Sequence, residues 1–345
     1  MKKMQSQNVS QKFSVGGIHC GIGNLLGFQQ EDYHVKYVID DREFLGKNLE
    51  TWKKNFPETE IIWRPETSKD LLNIEQIVYS YPELPNVLIS SPSCAQISRL
   101  GMKRKDRPSL KTMALDDFDF IKSLKILLKI SPEFIVLEYL TSLTNYLIFD
   151  NHQITQRVTD EILELPIDYN YQIVELNSMN FGVSQKRRRL FFFFWKKEYD
   201  FKFQTPVLLM SDIKKAKEIF EEIDLLDGLD NQEWPNHSQK RINGFDRLKP
   251  GESYYGTQNN KRIKLTEICP VITSSKTQHV HPWHPRVLTV RECATIQGFP
   301  YDFKFYGTFR DSLDLIGKTI SPPVAKEIAK QIKQSLIKYE EKNIS

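Results

Sequence analysis

One thiol, one carboxyl group and two runs of cations could do chemistry in this chain. Val87-Leu88-Ile89 leads straight into Ser90-Ser91-Pro92-Ser93-Cys94-Ala95-Gln96-Ile97-Ser98. The apolar run predicts a buried parallel strand that delivers Cys94 at its carboxyl end, where open α/β sheets place their ligands. A thiol at such a point is either a nucleophile, its thiolate favoured by nearby cations, or a small buried hydrophobe. Phe134-Ile135-Val136-Leu137 delivers Glu138 in the same way. Arg99, Lys103, Arg104, Lys105 and Arg107 follow the thiol, and Lys186 to Arg189 precede the apolar run Leu190 to Trp195. Such runs are solvated loops or clamps for phosphates.

The elements that must position these groups alternate. Phe13 to Asn24 reads as a strand, a glycine turn and the start of a helix from Leu25. Gly21 and Gly23 would let the backbone approach a ligand at a helix amino terminus, though an ordinary βα turn explains them as well. The strand Val35 to Ile39 ends in Asp40-Asp41, carboxylates that suit a ribose diol or a solvated turn. The helix Glu43 to Lys54 and a short strand near Ile61-Trp63 come next. Asp70 beyond them could accept from the exocyclic amine of a purine. Phe118 to Ile130 has apolar residues at helical spacing, and Pro132 stops it. A helix Thr155 to Leu165 then leads to strands Tyr171 to Leu176 and Leu190 to Trp195. The order predicts a doubly wound, mostly parallel α/β sheet of the Rossmann kind.

From about Lys196 the regularity breaks down, and it returns near Arg286 before a final helix, Val324 to Ile337. Residues 1–195 are therefore expected to form the main domain, 196–284 a small loop-rich region, and 285–345 a return to the main domain. The composition, 40% hydrophobic and 27% charged over 345 residues, is that of a soluble globular protein. The net charge of +4 permits a polyanionic partner without requiring one. Cys20, Cys94, Cys269 and Cys293 show neither a CxxC pair nor metal-site spacing with the histidines, which predicts free thiols, a reducing compartment and no metal. Met1 to Lys12 lacks the apolar core of a secretory signal, and no run approaches the ~20 apolar residues that span a bilayer.

In this order the residues resemble the cytosine-C5 DNA methyltransferase family over nearly the whole chain. Gly21-Ile22-Gly23 is similar to its S-adenosylmethionine loop, Pro92-Ser93-Cys94 to its Pro-Pro-Cys nucleophile motif, and Leu137-Glu138-Tyr139 to Glu-Asn-Val. Gln185-Lys186-Arg187-Arg188-Arg189 fits Gln-x-Arg-x-Arg. Arg286-x-Leu288-Thr289-x-Arg291-Glu292 with Gln297-Gly298-Phe299-Pro300 fits the next motif, and Ile316-Gly317-Lys318-Thr319 with Pro322-Pro323 resembles the last.

The resemblance implies a Rossmann-like S-adenosylmethionine-dependent sheet with a target-recognition region over 196–284. It implies that Cys94 adds to C6 of a flipped-out cytosine, that Glu138 donates to N3, and that Arg187 and Arg189 hold the base. Donor contacts would come from His19, Cys20, Gly21, Ile22, Gly23, Asn24, Asp40, Asp41, Asp70, Pro92, Lys318 and Thr319. Ser98, Arg99, Lys103, Arg104, Gln185 and Lys186 would face double-stranded DNA. A monomer in the cytoplasm of a bacterial or phage-infected cell is expected, with a cognate restriction enzyme as the candidate partner.

Five positions depart from the pattern: His19 stands for a phenylalanine, Ser93 for a proline, Ala95 for a glutamine, Tyr139 for an asparagine and Lys318 for an asparagine. They leave two alternatives open. One is a carboxylated donor, carboxy-S-adenosylmethionine, drawn by the Lys318 ammonium and giving 5-carboxymethylcytosine. The other is an inactive DNA-binding homologue.

Overall fold

The computed structural model describes residues 12–64, 71–93, 119–145, 147–150, 153–157, 168–226, 228–254, 260–273 and 278–344. Strands and helices alternate through β1 (Phe13–Ile18), α1 (Ile22–Gln29), β2 (Tyr33–Asp41), α2 (Arg42–Asn55), β3 (Glu60–Arg64), α3 (Leu71–Tyr79), β4 (Val87–Ser90), α4 (Asp119–Ile130) and β5 (Phe134–Tyr139). A hairpin of β6 (Leu147–Asp150) and β7 (Gln153–Arg157) follows, then β8 (Tyr169–Asn177) and β9 (Arg188–Lys196). The later helices are α5 (Ala216–Asp224), α6 (Gln239–Asp246), α7 (Val290–Gln297), α8 (Phe309–Gly317) and α9 (Pro322–Ile344).

Seven strands make one sheet in the order β3-β2-β1-β4-β5-β9-β8. The first five pair in parallel, while β9 runs antiparallel to both β5 and β8. Order reverses between β1 and β4, and the loops that leave β1, β2, β4 and β5 all emerge at the carboxyl edge on which such sheets bind ligands.

Side chains alternate across each strand, so the Phe191-to-Trp195 run serves two cores at once. Phe191, Phe193 and Trp195 join α1, α7, α8 and α9 on one face; Leu190, Phe192 and Phe194 join α3 and α4 on the other. That double burial explains a strand with no polar alternation. Helix ends follow local chemistry. Thr289 caps α7 and exchanges hydrogen bonds with Glu292, and Gly298 ends it in the left-handed region at φ 91°. α9 opens on Pro322-Pro323, where missing N–H groups cost nothing, and runs on to Ile344, beyond the expected Ile337.

One expected element is corrected. Residues 153–157 form β7, paired antiparallel with β6, where a helix from Thr155 was expected. β-branched Ile154 and Thr155 favour the strand, and the short link from β6 favours a hairpin. Residues 158–167 lie outside the described residues. Within 196–284, Ala216, Ile219, Phe220, Ile223, Ile263, Cys269 and Ile272 belong to the same core as α1 and α9, whereas Phe245, Val280 and Val287 form a small cluster of their own. No helix among the described residues is long and apolar enough to cross a membrane.

Candidate active site

Glu138 is the penultimate residue of β5, opposite Phe191 of β9. Arg189 lies two residues nearer the start of β9, on the same face and diagonal to Glu138, a separation that a long side chain spans. Its Nε stands 2.9 Å from Glu138 Oε1, with side-chain exposures of 20% and 11%. A second nitrogen, Arg189 Nη1, donates to the Arg188 carbonyl at 2.8 Å. The space beside Arg189 is bounded by Leu176, Phe191, Ile320 and Ser321. Two charges are thus held together at the mouth of the sheet, partly shielded from water, where they act more strongly than on an open surface.

The β4 strand and its following loop are tied to this edge from three sides. Ser91 N–H donates to the His19 carbonyl at 3.0 Å, and Asn24 Nδ2 donates to Ser91 Oγ at 2.9 Å. Tyr139, next to Glu138, donates its hydroxyl to the Ser93 carbonyl at 3.0 Å. Pro92 is buried and Ser93 exposed. Cys94, Ser98, Arg99, Lys103, Arg104 and Asp70 lie outside the described residues.

At the β1 end, His19 adopts φ 49° and its N–H donates to the Ile39 carbonyl at 2.8 Å. Asp40, 8% exposed, is the penultimate residue of the neighbouring strand β2, and Asp41 is its last. Strand β2 and the loop after β4 therefore both bond to the His19 backbone. The side chains of Cys20 and Ile22 are buried in the core. Burial pushes the Cys20 thiol well up, with the Asp40 carboxylate adding to it.

The glycines also carry a different load from the expected one. A Cβ on Gly23 would stand 2.4 Å from the Ile320 carbonyl oxygen, and one on Gly21 would stand 2.6 Å from Thr319 Cβ. These glycines admit the 319–320 segment of the chain itself. Gly23 N–H donates to Thr319 Oγ1 at 2.8 Å, and Asn24 Oδ1 accepts from Ile320 N–H at 3.0 Å and Thr319 Oγ1 at 3.2 Å. Asn24 has no exposed surface and joins the first and last motifs to the loop at Ser91. Lys318 follows the end of α8, exposed, with Nζ 5.4 Å from the centroid of the Phe44 ring.

Alternation along residues 185–189 sorts the basic motif. Gln185 has no exposed surface; its amide nitrogen donates to the Ile296 carbonyl at 2.9 Å and Gln297 Oε1 at 2.7 Å. Arg187, 5% exposed, donates to the carbonyls of Ile272, Gly317 and Thr319 at 2.9, 3.0 and 3.1 Å. Both side chains are held inside the protein by these bonds, which satisfy polar groups that burial would otherwise leave unpaired. Lys186 is exposed, and Arg188, exposed beside it, makes a two-pronged pair with Glu175 at 2.5 and 2.8 Å.

Other motif residues build the frame. Arg286 grips Glu292 through two hydrogen bonds of 2.9 and 2.7 Å in a buried setting. Fully buried Arg291 donates to the carbonyls of Asp230, Pro300 and Phe303. Tyr139 is the site-forming contact that sequence reasoning missed, and the tie from Asn24 to the Ser91 loop was not foreseen although Asn24 itself was among the expected site residues. Each joins residues far apart in the chain, and only Tyr139's departure from the family pattern signalled anything.

A sequence profile described as C-5 cytosine-specific DNA methylase matches residues 13–334. The type II methyltransferase M.NgoPII of Neisseria gonorrhoeae is 25% identical over 92% of this chain and 95% of its own length. M.FnuDI of Fusobacterium nucleatum is 27% identical over 92% and 94%. Among solved structures, a prophage-encoded DNA modification methyltransferase of E. coli superposes with a TM-score of 0.68 at 18% identity, covering 94% of this chain and 99% of that one. Dnmt2 of S. pombe gives 0.60 at 14% identity over 94% and 99%. Profile, relatives and sheet agree: the chain is a member of the C-5 cytosine-specific DNA methylase family.

Proposed function

We propose that this chain carries out its family's reaction, methylation of cytosine at C5 in DNA, through a covalent adduct on Cys94, with Glu138 and Arg189 as the groups that hold the base. The observation that carries this reading is the Glu138–Arg189 pair at 2.9 Å beside a loop whose Ser93 carbonyl is held by Tyr139. Cytosine C5 is a poor nucleophile. Addition of the Cys94 sulfur to C6 releases the electron pair of the C5=C6 bond onto C5, while Glu138, having taken up a proton from solvent, donates it to N3. Arg189, fixed by Glu138 and the Arg188 carbonyl, holds the base carbonyl with its remaining N–H groups. Loss of the C5 proton then restores the double bond and expels the thiolate.

S-adenosylmethionine supplies the methyl group on a sulfonium sulfur. The residues at the carboxyl edge fit it: His19 offers a flat ring, Asp40 a nearly buried acceptor suited to a ribose diol, and the His19–Ser91 link brings that end beside the Cys94 loop. Lys318 and Thr319 approach from the last motif. The DNA is double-stranded, so the target base must flip out at a cost of about a few kcal/mol. Residues 1–195 and 285–345 form the catalytic part and 196–284 the target-recognition region. The relatives' names support a place in a restriction-modification system, with a cognate restriction enzyme acting on the same site, in the cytoplasm of a bacterial or phage-infected cell.

The test is mass spectrometry of nucleosides from duplex DNA incubated with the protein and S-adenosylmethionine. 5-Methylcytosine in wild type, lost in Cys94→Ser and Glu138→Gln, is the expected result. No methylcytosine, or methylcytosine undiminished in Cys94→Ser, would remove the reading. A parallel incubation with carboxy-S-adenosylmethionine is expected to yield no 5-carboxymethylcytosine.

A further inference from the structure

Glu138 and Tyr139 are neighbours on β5, so their side chains leave opposite faces of the sheet. Glu138 meets Arg189, whereas the Tyr139 ring, 1% exposed, packs on Phe120 with centroids 5.1 Å apart. From that buried seat its hydroxyl reaches the end of β4 and donates to the Ser93 carbonyl at 3.0 Å. This carbonyl belongs to the peptide unit that joins Ser93 to Cys94. A peptide unit is planar, so a hydrogen bond to its oxygen restrains the unit through which the chain passes on to residue 94. The start of the same loop is already held through Ser91 to His19 and Asn24.

Residue 93 is where the restraint is needed. A proline there would lock φ near −65°, and serine leaves it free. We propose that Tyr139 is the positioning residue of the Cys94 loop, its hydroxyl bond to the Ser93 carbonyl supplying the stiffness that a proline ring at position 93 would give. Through it, the peptide that leads to the nucleophile is tied to the strand that carries Glu138. The inference rests on Cys94 being the nucleophile.

The test is a set of kinetic constants for wild type, Tyr139→Phe, Ser93→Pro, the double variant and Cys94→Ala, on duplex DNA with S-adenosylmethionine. Tyr139→Phe removes one hydroxyl and keeps the ring against Phe120, so the fold is retained, which thermal unfolding checks. We expect its kcat to fall roughly fivefold to tenfold, the worth of one neutral hydrogen bond, with KM for DNA and donor within about twofold. In the double variant kcat should return to within about twofold of Ser93→Pro alone, an outcome that a purely structural role of the hydroxyl would not produce. A kcat in Tyr139→Phe equal to wild type, a change confined to KM, or a loss that Ser93→Pro fails to rescue would overturn the inference. Activity surviving in Cys94→Ala would overturn the nucleophile reading instead. An inactive Cys94→Ala beside an unimpaired Tyr139→Phe would sink the Tyr139 inference alone.

Discussion

Arg189 Nε and Glu138 Oε1 lie 2.9 Å apart on one face of the sheet, joined across the antiparallel pairing of β5 and β9. That pairing breaks the parallel rule of the other strands. It brings the start of β9 to the same edge as the end of β5, so one motif's arginine meets another's carboxylate. Glu138→Gln keeps the shape and removes the acid. Its kcat should fall by ~10²–10⁴ with DNA binding retained, as measured by transfer of labelled methyl groups and by fluorescence anisotropy.

Arg187 and Arg189 should part company on substitution. Arg187→Ala removes three buried hydrogen bonds, to the carbonyls of Ile272, Gly317 and Thr319, of which Thr319 keeps the Gln297 amide as a donor, and should lower unfolding free energy by roughly 3 kcal/mol in a denaturant titration. Arg189→Ala, near the surface, should change stability by under about 1 kcal/mol yet abolish most of the activity. Equal stability losses in the two variants would contradict the division of roles.

Gly23→Ala places a methyl group 2.4 Å from the Ile320 oxygen and 2.8 Å from Thr319 Oγ1. The 319–320 segment must move, and with it the Asn24 hydrogen bonds that link it to Ser91. Calorimetry should show a lower unfolding temperature, worth about 1–3 kcal/mol, together with weakened binding of S-adenosylmethionine. Unchanged donor affinity would show that the two ends of the chain do not share a site.

Acid should destabilise the 237–292 region. His281 is fully buried, and its Nδ1 accepts from the Trp283 and His284 N–H groups at 3.1 and 3.0 Å, which a protonated ring could not do. Glu292 Oε1 lies 3.4 Å from its Nε2, but that carboxylate is already gripped by Arg286. Burial, with Arg286 adding to it, lowers the His281 pKa from 6.5 to about 2. His279 and His237 are lowered too, chiefly by burial. Below about pH 6.5 the unfolded chain binds protons that the folded chain refuses. Stability is therefore complete above that pH and is lost as pH falls. His281 alone should contribute roughly 2 kcal/mol of loss between pH 6.5 and 5. Urea titrations at both pH values check this, and His281→Gln should shallow the slope by close to one proton.

Much of the frame was legible because a strand buried on both faces, such as Val87–Ser90 or Arg188–Lys196, announces itself by an apolar run. Glu138 and Arg189 were legible as motif positions. Contacts between distant segments were not. The resemblance gave Gln185 a contact with DNA and Arg187 a contact with the base, but not the tertiary packing that encloses both side chains among main-chain carbonyls. Gly21 and Gly23 read as room for a ligand, and the room is filled by Thr319 and Ile320. Ser93 and Tyr139, 46 residues apart, read as two separate departures until the hydrogen bond joined them. Residues 153–157 misled for a local reason, since a short segment's helical periodicity cannot outweigh a strand partner beside it.

The central claim, a covalent bond between Cys94 and cytosine, is tested most directly with duplex DNA carrying 5-fluorocytosine at the target, whose fluorine blocks the final elimination. Incubated with S-adenosylmethionine, the protein should form a denaturation-resistant complex in which mass spectrometry places the DNA on Cys94. No such complex with active wild-type protein, or one that persists in Cys94→Ser, would contradict the account.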